Sequence, residues 1–439
     1  MLGIYYFCGF CYNKYVTFKH KGDVVMVLSE GEIKKTVYEA VENVEITDVH
    51  THLYPPSFGN MLLWGIDELL NYHYLVAEAM RWADIPYQDF WAMSKREQAD
   101  FIWKTLFVDN SPYSEACRGV LTNLHKLGFD VASRDLIKYR KYFDSVSLEE
   151  YVDRIFKEGR IKCVVMTNDP FNEEERGYWL KGLKDSRFKG ALRLDVLLNN
   201  WPEACAKLRQ WGYEVSEDFS GDTAGQIRKF LREWMDRIEA VYMAVSLPWD
   251  FAYPEDSPRS RIIEECVLPV AGELNKPFAL MIGVKRQLNP GLKDAGDGVG
   301  RADVRAVEYL CSRYPHNKFM VTLLSRENQH ELAVAARKFR NLMPFGCWWF
   351  LNNPSLVDEI TRMRCELLGV SFIPQHSDAR VLDQLIYKWE HSRKIIADVL
   401  VDKYTDLART GWAIESQEVR RDVEKLFGGN FWGFLERKF

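Results

Sequence analysis

Short apolar runs alternate with stretches of helical periodicity from one end of the chain to the other. Eight segments read as strands: "VEITDVHTHL", "KCVVMTNDP", "KGALRLD", "VYMAVSLP", "PFALMIGV", "KFMVTLLS", "LMPFGCWWF" and "GVSFIPQHSDAR". Several are apolar throughout, as strands covered on both faces are. The intervals carry amphipathic patterns, for instance "RIIEECVLPVAGELN" before the fifth strand and "HELAVAARKFRN" before the seventh. Strands alternating with helices in this way predict the α/β class and a closed parallel (β/α)8 TIM-like barrel; an open doubly wound sheet has the same periodicity.

One interval is too long for a crossover. Residues 55–148 pass through several helix-like stretches, "DELLNYHYLVAEAMRW" and "SKREQADFIWKTLF" among them, and predict a large helical insertion after strand 1, placed over the barrel mouth. The terminal "NFWGFLERKF" reads as an aromatic packing segment. No internal repeat breaks this pattern, so residues 26–439 are expected to form a single barrel domain.

Composition narrows the function classes. The 439 residues are 47% hydrophobic and 28% charged, which suits a soluble globular chain with a large core. Lysine and arginine number 58 against 63 acidic residues, a net charge of -5, so no global field favours nucleic acid or an anionic membrane surface. An anionic small molecule would have to be held by a few placed arginines. Nine scattered cysteines are expected to be free thiols in a reducing compartment. The C-x-x-C of Cys8 and Cys11 lacks the strand-to-helix context or second cysteine pair that a redox or zinc role needs. No apolar run approaches the ~20 residues of a membrane span, and the first residues lack the features of a signal peptide. A cytoplasmic protein without nucleic-acid or membrane partners is expected, with homo-oligomerisation left open. "GDGVG", Gly296–Gly300, lacks the lysine of a phosphate loop and reads as a flexible barrel loop.

In a barrel of this kind, active sites gather at the C-terminal ends of the strands. Those ends are polar here: His50 and His52 close the first strand, Arg193 and Asp195 the third, Lys285 and Arg286 the fifth, and His376, Asp378 and Arg380 the eighth. Residues two apart on a strand share a face, so His50 and His52 would point together, away from Val49, Thr51 and Leu53. Two neutral imidazoles suit a divalent metal. The plainer alternative is two unrelated histidines, one in the core and one at the surface. Closing the barrel would bring Asp378 opposite them, and three protein ligands with an open position mark a catalytic metal. Asp378 could also pair with Arg380, and Arg193 with Asp195. His376 reads as a packing histidine, or one that supports the ligands, in preference to a ligand itself.

Together the H-x-H of His50 and His52, the "YHY" of Tyr72 to Tyr74, the arginine of "LRLD", the "GCWWF" run and the terminal "SDAR" resemble uronate (glucuronate) isomerase, a divergent branch of the amidohydrolase superfamily. The resemblance runs from about Met26 to the end. It implies interconversion of D-glucuronate with D-fructuronate and of D-galacturonate with D-tagaturonate. It implies His50, His52 and Asp378 as metal ligands, Tyr74 and Arg380 as a proton-transfer pair, and Asp378 as a shuttle for the ring-opening proton. His73, Arg193, Arg286 and a tryptophan of the Trp348 and Trp349 pair would hold the hexuronate.

Aldose–ketose isomerisation moves a proton from C2 to C1 through an enediol, which demands a base, an acid and stabilisation of the enediolate. A guanidinium beside Tyr74 would favour phenolate, and planar arginine forks suit a C6 carboxylate. Packing of Tyr74 beside Leu70 and Leu75 is the plainer alternative. The family histidine before the "IG" of strand five is replaced by Met281, and strand six ends without a histidine. A binuclear hydrolase site is therefore not expected. The expectation is one divalent ion, zinc, weakly held, with its necessity for turnover left open. The rivals are a mononuclear metal-dependent hydrolase and a non-catalytic sugar-acid-binding protein. Residues 1–25 match nothing in the family pattern and are expected to be a disordered or non-native extension.

Overall fold

A computed structural model describes residues 28–439 and, ahead of them, the backbone of two short strands, Phe18–His20 and Asp23–Val25, paired antiparallel. The expectation for residues 1–25 lies for the most part outside the described residues, and the Cys8–Cys11 spacing wholly so. Helix α1 (Glu30–Asn43) begins at a reciprocal cap, in which Ser29 Oγ accepts from the Glu32 N–H and the Glu32 carboxylate from the Ser29 N–H. Its Ile33, Val37 and Val41, one helical turn apart, are buried.

The strands are β1 (Ile46–Thr51), β2 (Ile161–Met166), β3 (Phe188–Lys189), β4 (Leu192–Arg193), β5 (Met243–Pro248), β6 (Phe278–Lys285), β7 (Phe319–Leu323) and β8 (Leu342–Pro344). They run parallel in two ladders, β1-β2-β3 and β4-β5-β6-β7-β8. A bridge between Asn168 and Leu192 links the ladders on one side. On the other, Phe345 bridges Ile373, and the chain beyond reaches β1, where the Asp378 N–H donates to His50 O at 3.1 Å and the His52 N–H to Ala379 O at 2.7 Å.

Three sequence expectations change. "KGALRLD" is divided between β3 and β4, and "GVSFIPQHSDAR" forms a single bridge rather than a strand. Pro374 has no N–H to give a ladder, and Asp378 is left-handed at φ +51°. "GDGVG" is not a free loop, because Gly298–Val299 pairs antiparallel with the end of β6.

Between β1 and β2 runs a series of helices, from Ile66–Leu70 to Leu148–Gly159, with an apolar cluster of its own that includes Leu70, Leu75, Ile102 and Leu106. "DELLNYHYLVAEAMRW" is broken at Tyr72, which is extended at ψ 136°, so α2 (His73–Trp82) opens with His73 and Tyr74 on its first turn. Helix α3 (Gln384–Arg409) follows the "SDAR" segment. Helix α4 (Asn430–Glu436) carries the terminal aromatics: Phe431 and Phe434 join Val49, Ala279, Met281 and Met320 in one apolar cluster, and Trp432 Nε1 donates to Thr47 Oγ1 near the start of β1. The tail is a packing segment, as its composition suggested. Among the described residues all cysteines are free thiols, and no helix is long and apolar enough to cross a membrane.

Candidate active site

The site begins at an irregularity in β1, whose register against β2 shifts between Asp48 and Thr51. Val49 packs in the same apolar cluster as Phe345, and the His50 ring lies 6.4 Å from that phenylalanine, so two consecutive residues face the same interior. Strict alternation would have separated them. The result still brings the predicted trio together. His50 Nε2 and His52 Nε2 stand 3.5 and 3.2 Å from Asp378 Oδ1, and one ligand atom from each residue lies within 4.8 Å of the others. Among the described residues it is the one group of this kind.

The outer nitrogens of the imidazoles are otherwise engaged. His50 Nδ1 is 3.4 Å from Tyr242 Oη and His52 Nδ1 is 2.9 Å from Thr167 Oγ1. Both Nε2 atoms are thereby turned toward the carboxylate, while His50 Nε2 and Asp378 Oδ1 are buried without an aligned hydrogen bond. Two imidazole nitrogens and a carboxylate oxygen meeting at unsatisfied lone pairs fit a divalent ion. Burial pushes His52 down to about 3, so its ring stays neutral. For Asp378, burial alone would raise the carboxyl, but the two imidazoles outweigh it and hold the group well below the usual carboxylate range.

Asp378 pairs with the histidines and not with Arg380, which takes part in no ion pair among the described residues. His376 packs by its ring, while both its ring nitrogens are buried without hydrogen-bond partners among the described residues. Its ring lies 5.1 Å from that of His50 and 5.4 Å from Phe345, above Gly346 at φ +68°, where a Cβ would come within 1.8 Å of His376 Cδ2.

Above the trio, α2 supplies Tyr74 and His73. Tyr74 Oη, His73 Nε2 and Trp349 Nε1 are all buried and without hydrogen-bond partners among the described residues. The His73 ring lies 5.7 Å from Trp349, which is itself left-handed at φ +48°; Trp348 is buried at 6.0 Å from its neighbour, so Trp349 is the tryptophan that faces α2. A cavity of about 310 Å³ opens here, lined by Asn71, Tyr72, His73, Trp91, Lys293 and Arg380 among others. The electrostatics differ from the expectation for Tyr74. Burial, reinforced by Tyr72, Asp378 and Tyr387, pushes its phenol well above the ordinary range, and the opposing pull of Arg380 is outweighed.

The two other arginines are engaged elsewhere. Arg193 Nη2 is paired with Asp195 Oδ1 at 2.9 Å, the alternative its spacing allowed. Arg286 is 59% exposed and paired with Asp297 at 2.5 Å; among the described residues no hydrogen bond or ion pair joins it to the trio. Two groups were missed from sequence. Asp48 Oδ1 accepts from the Ser377 N–H at 3.0 Å, and its Oδ2 from Trp389 Nε1 at 2.8 Å. Lys388 is buried and donates from Nζ to Ser377 O. The aspartate ahead of the H-x-H was visible as a charge in an apolar strand; the lysine in "IYKW" gave no signal until α3 was placed.

No protein-family model matches the chain, and no curated protein does. Solved structures do match. A uronate isomerase from Bacillus halodurans is 57% identical, with 94% of this chain covering 98% of that one at a TM-score of 0.92. A uronate isomerase from Thermotoga maritima (15% identity, 93% of this chain, 100% of that one, TM-score 0.75) and a glucuronate isomerase from Caulobacter crescentus (15%, 93%, 95%, 0.65) share the fold.

Proposed function

The chain belongs to the uronate isomerase family, and on that premise we propose that its rim of unpartnered polar groups interconverts D-glucuronate with D-fructuronate and D-galacturonate with D-tagaturonate. The observation that carries the reading is the convergence of His50, Asp378, His73, Tyr74 and Trp349, each with a buried polar atom left open toward its neighbours. In this reading the parallel strands form a closed (β/α)8 barrel of residues 26–439, and the helices between β1 and β2 are an insertion roofing its mouth.

His50, His52 and Asp378 would hold one divalent ion, zinc by preference of an N,N,O donor set; when bound, such an ion polarises a substrate oxygen and stabilises developing negative charge. The remaining work falls to the chain. Asp378, ionised, takes the hydroxyl proton whose removal opens the pyranose ring. Tyr74 and Arg380 carry the proton from C2 to C1. Because burial keeps the free phenol protonated, Tyr74 becomes a base only when Arg380 acts on it more strongly than its acidic neighbours do, so the guanidinium is as necessary as the phenol. His73 and Trp349 orient the sugar. Arg193 faces the C6 carboxylate while retaining Asp195. Arg286 would have to leave Asp297 to share that grip.

The test is incubation of folded, metal-loaded protein with D-glucuronate and D-galacturonate in deuterated water. Ketose carrying solvent deuterium at C1 is the expected product. Absence of ketose from both sugars refutes the proposal.

A further inference from the structure

Ten residues beyond Asp378, α3 places the lysine side chain of Lys388 in the interior, 2% exposed. Its Nζ donates to Ser377 O at 2.5 Å and sits 5.9 Å from the centroid of the Tyr72 ring. It forms no ion pair among the described residues. A buried ammonium without a counter-ion is costly to keep, and methionine would fill the same space without that cost. Burial accordingly pushes the group down to about 8. Packing alone gives no reason for a lysine here.

What Lys388 touches is the turn that presents Asp378. The carbonyl of Ser377 also accepts from Asn352 Nδ2 at 3.4 Å, and the Ser377 N–H donates to Asp48. Asp48 is in turn held by Trp389 Nε1, from the residue next to Lys388. Two consecutive residues of α3 therefore grip Ser377 from both ends, one at its carbonyl and the other through Asp48 at its N–H. The Ala379 N–H donates back to Ser377 Oγ at 3.1 Å. Asp378, between these braces, holds the left-handed φ of +51°, which a non-glycine residue keeps only where its surroundings impose it.

We propose that Lys388 is a positioning residue: by donating to the Ser377 carbonyl it fixes the turn that sets Asp378 Oδ1 against both imidazoles. The inference rests on His50, His52 and Asp378 being the metal-holding trio. It is tested on metal-free protein by titrating zinc against a chromophoric competitor and by thermal unfolding, in the wild type, His50→Asn, Lys388→Met and Lys388→Leu. The wild type is expected to bind one zinc and His50→Asn to lose it. The lysine variants are expected to unfold at or above the wild-type temperature, because a buried charge is gone, yet to bind zinc at least about tenfold more weakly. A purely structural lysine would do the reverse, lowering the unfolding temperature and sparing zinc affinity. Wild-type zinc affinity in whichever lysine variant folds overturns the proposal. Zinc binding that survives His50→Asn, or is absent from the wild type, overturns the trio itself and the proposal with it.

Discussion

Two buried carboxylates flank His50 in space, and their neighbours treat them differently. Asp48 accepts from the Ser377 N–H and the Trp389 indole. Asp378 presents Oδ1 to two imidazoles without an aligned hydrogen bond, beneath a phenol, an imidazole and an indole that are equally unanswered. The first arrangement is what folding selects, since a buried polar group left open costs about 1–3 kcal/mol. The second is one folding alone would remove. Satisfied polarity braces Asp48 within the fold, and the open polarity around Asp378 is, on the reading proposed above, kept for a ligand; the open buried atoms of Asn123 and Thr361 lie outside that reading.

The largest test of that contrast is Asp378→Asn. Turnover is expected to fall by about 10³-fold, while urea unfolding of the metal-free protein shifts by less than about 1 kcal/mol. Asp48→Ala should invert the pattern, leaving an N–H and an indole unsatisfied and costing about 3 kcal/mol of stability in the same urea measurement. If Asp48→Ala is as stable as the parent, the contrast fails. Tyr74→Phe removes a hydroxyl without a hydrogen-bond partner among the described residues, so turnover should drop about 10²-fold with unfolding unchanged within about 0.5 kcal/mol. Full turnover in that variant takes Tyr74 out of the chemistry.

The smallest effect is on pH. Burial holds His73 and His376 well below the ordinary imidazole value, so below pH 6.5 the unfolded chain binds more protons than the folded one. The share of these two groups in the stability of the metal-free protein is complete above that pH and declines as pH falls below it, by about 1.4 kcal/mol per pH unit for each group, while Glu175, raised to about 7 by burial, works in the opposite direction. Unfolding curves at pH 7 and 5.5 check this; His376→Phe should make the decline shallower, and an unchanged slope would show that its ring titrates freely.

The strand ends that carry chemistry were legible in the sequence because period-2 spacing and polar closure are local signals. His50, His52 and Asp378 meet as their positions implied. The final strand was not legible as the irregular segment it is, since "GVSFIP" has a strand's apolar content while Pro374 and the turn at Asp378 deny it a ladder. Arg193 kept the partner two residues away that the sequence offered. Arg286 found Asp297, eleven residues on, across a loop whose pairing with β6 no periodicity announced. The pull of Arg380 on Tyr74 could be read from residue types; the burial that overrides it could not. Lys388 is the plainest case, because a charge enters the interior only through packing between distant segments.

The close approach of the His376 ring to Gly346 reaches beyond the site's present chemistry. The floor under His50 is shaped by a ring occupying the volume of a missing side chain, so the two positions form a lock in which neither can be enlarged alone. An attempt to reshape this floor for a bulkier sugar would have to shorten residue 376 first and only then extend residue 346, because the reverse order drives a Cβ to within 1.8 Å of the His376 ring.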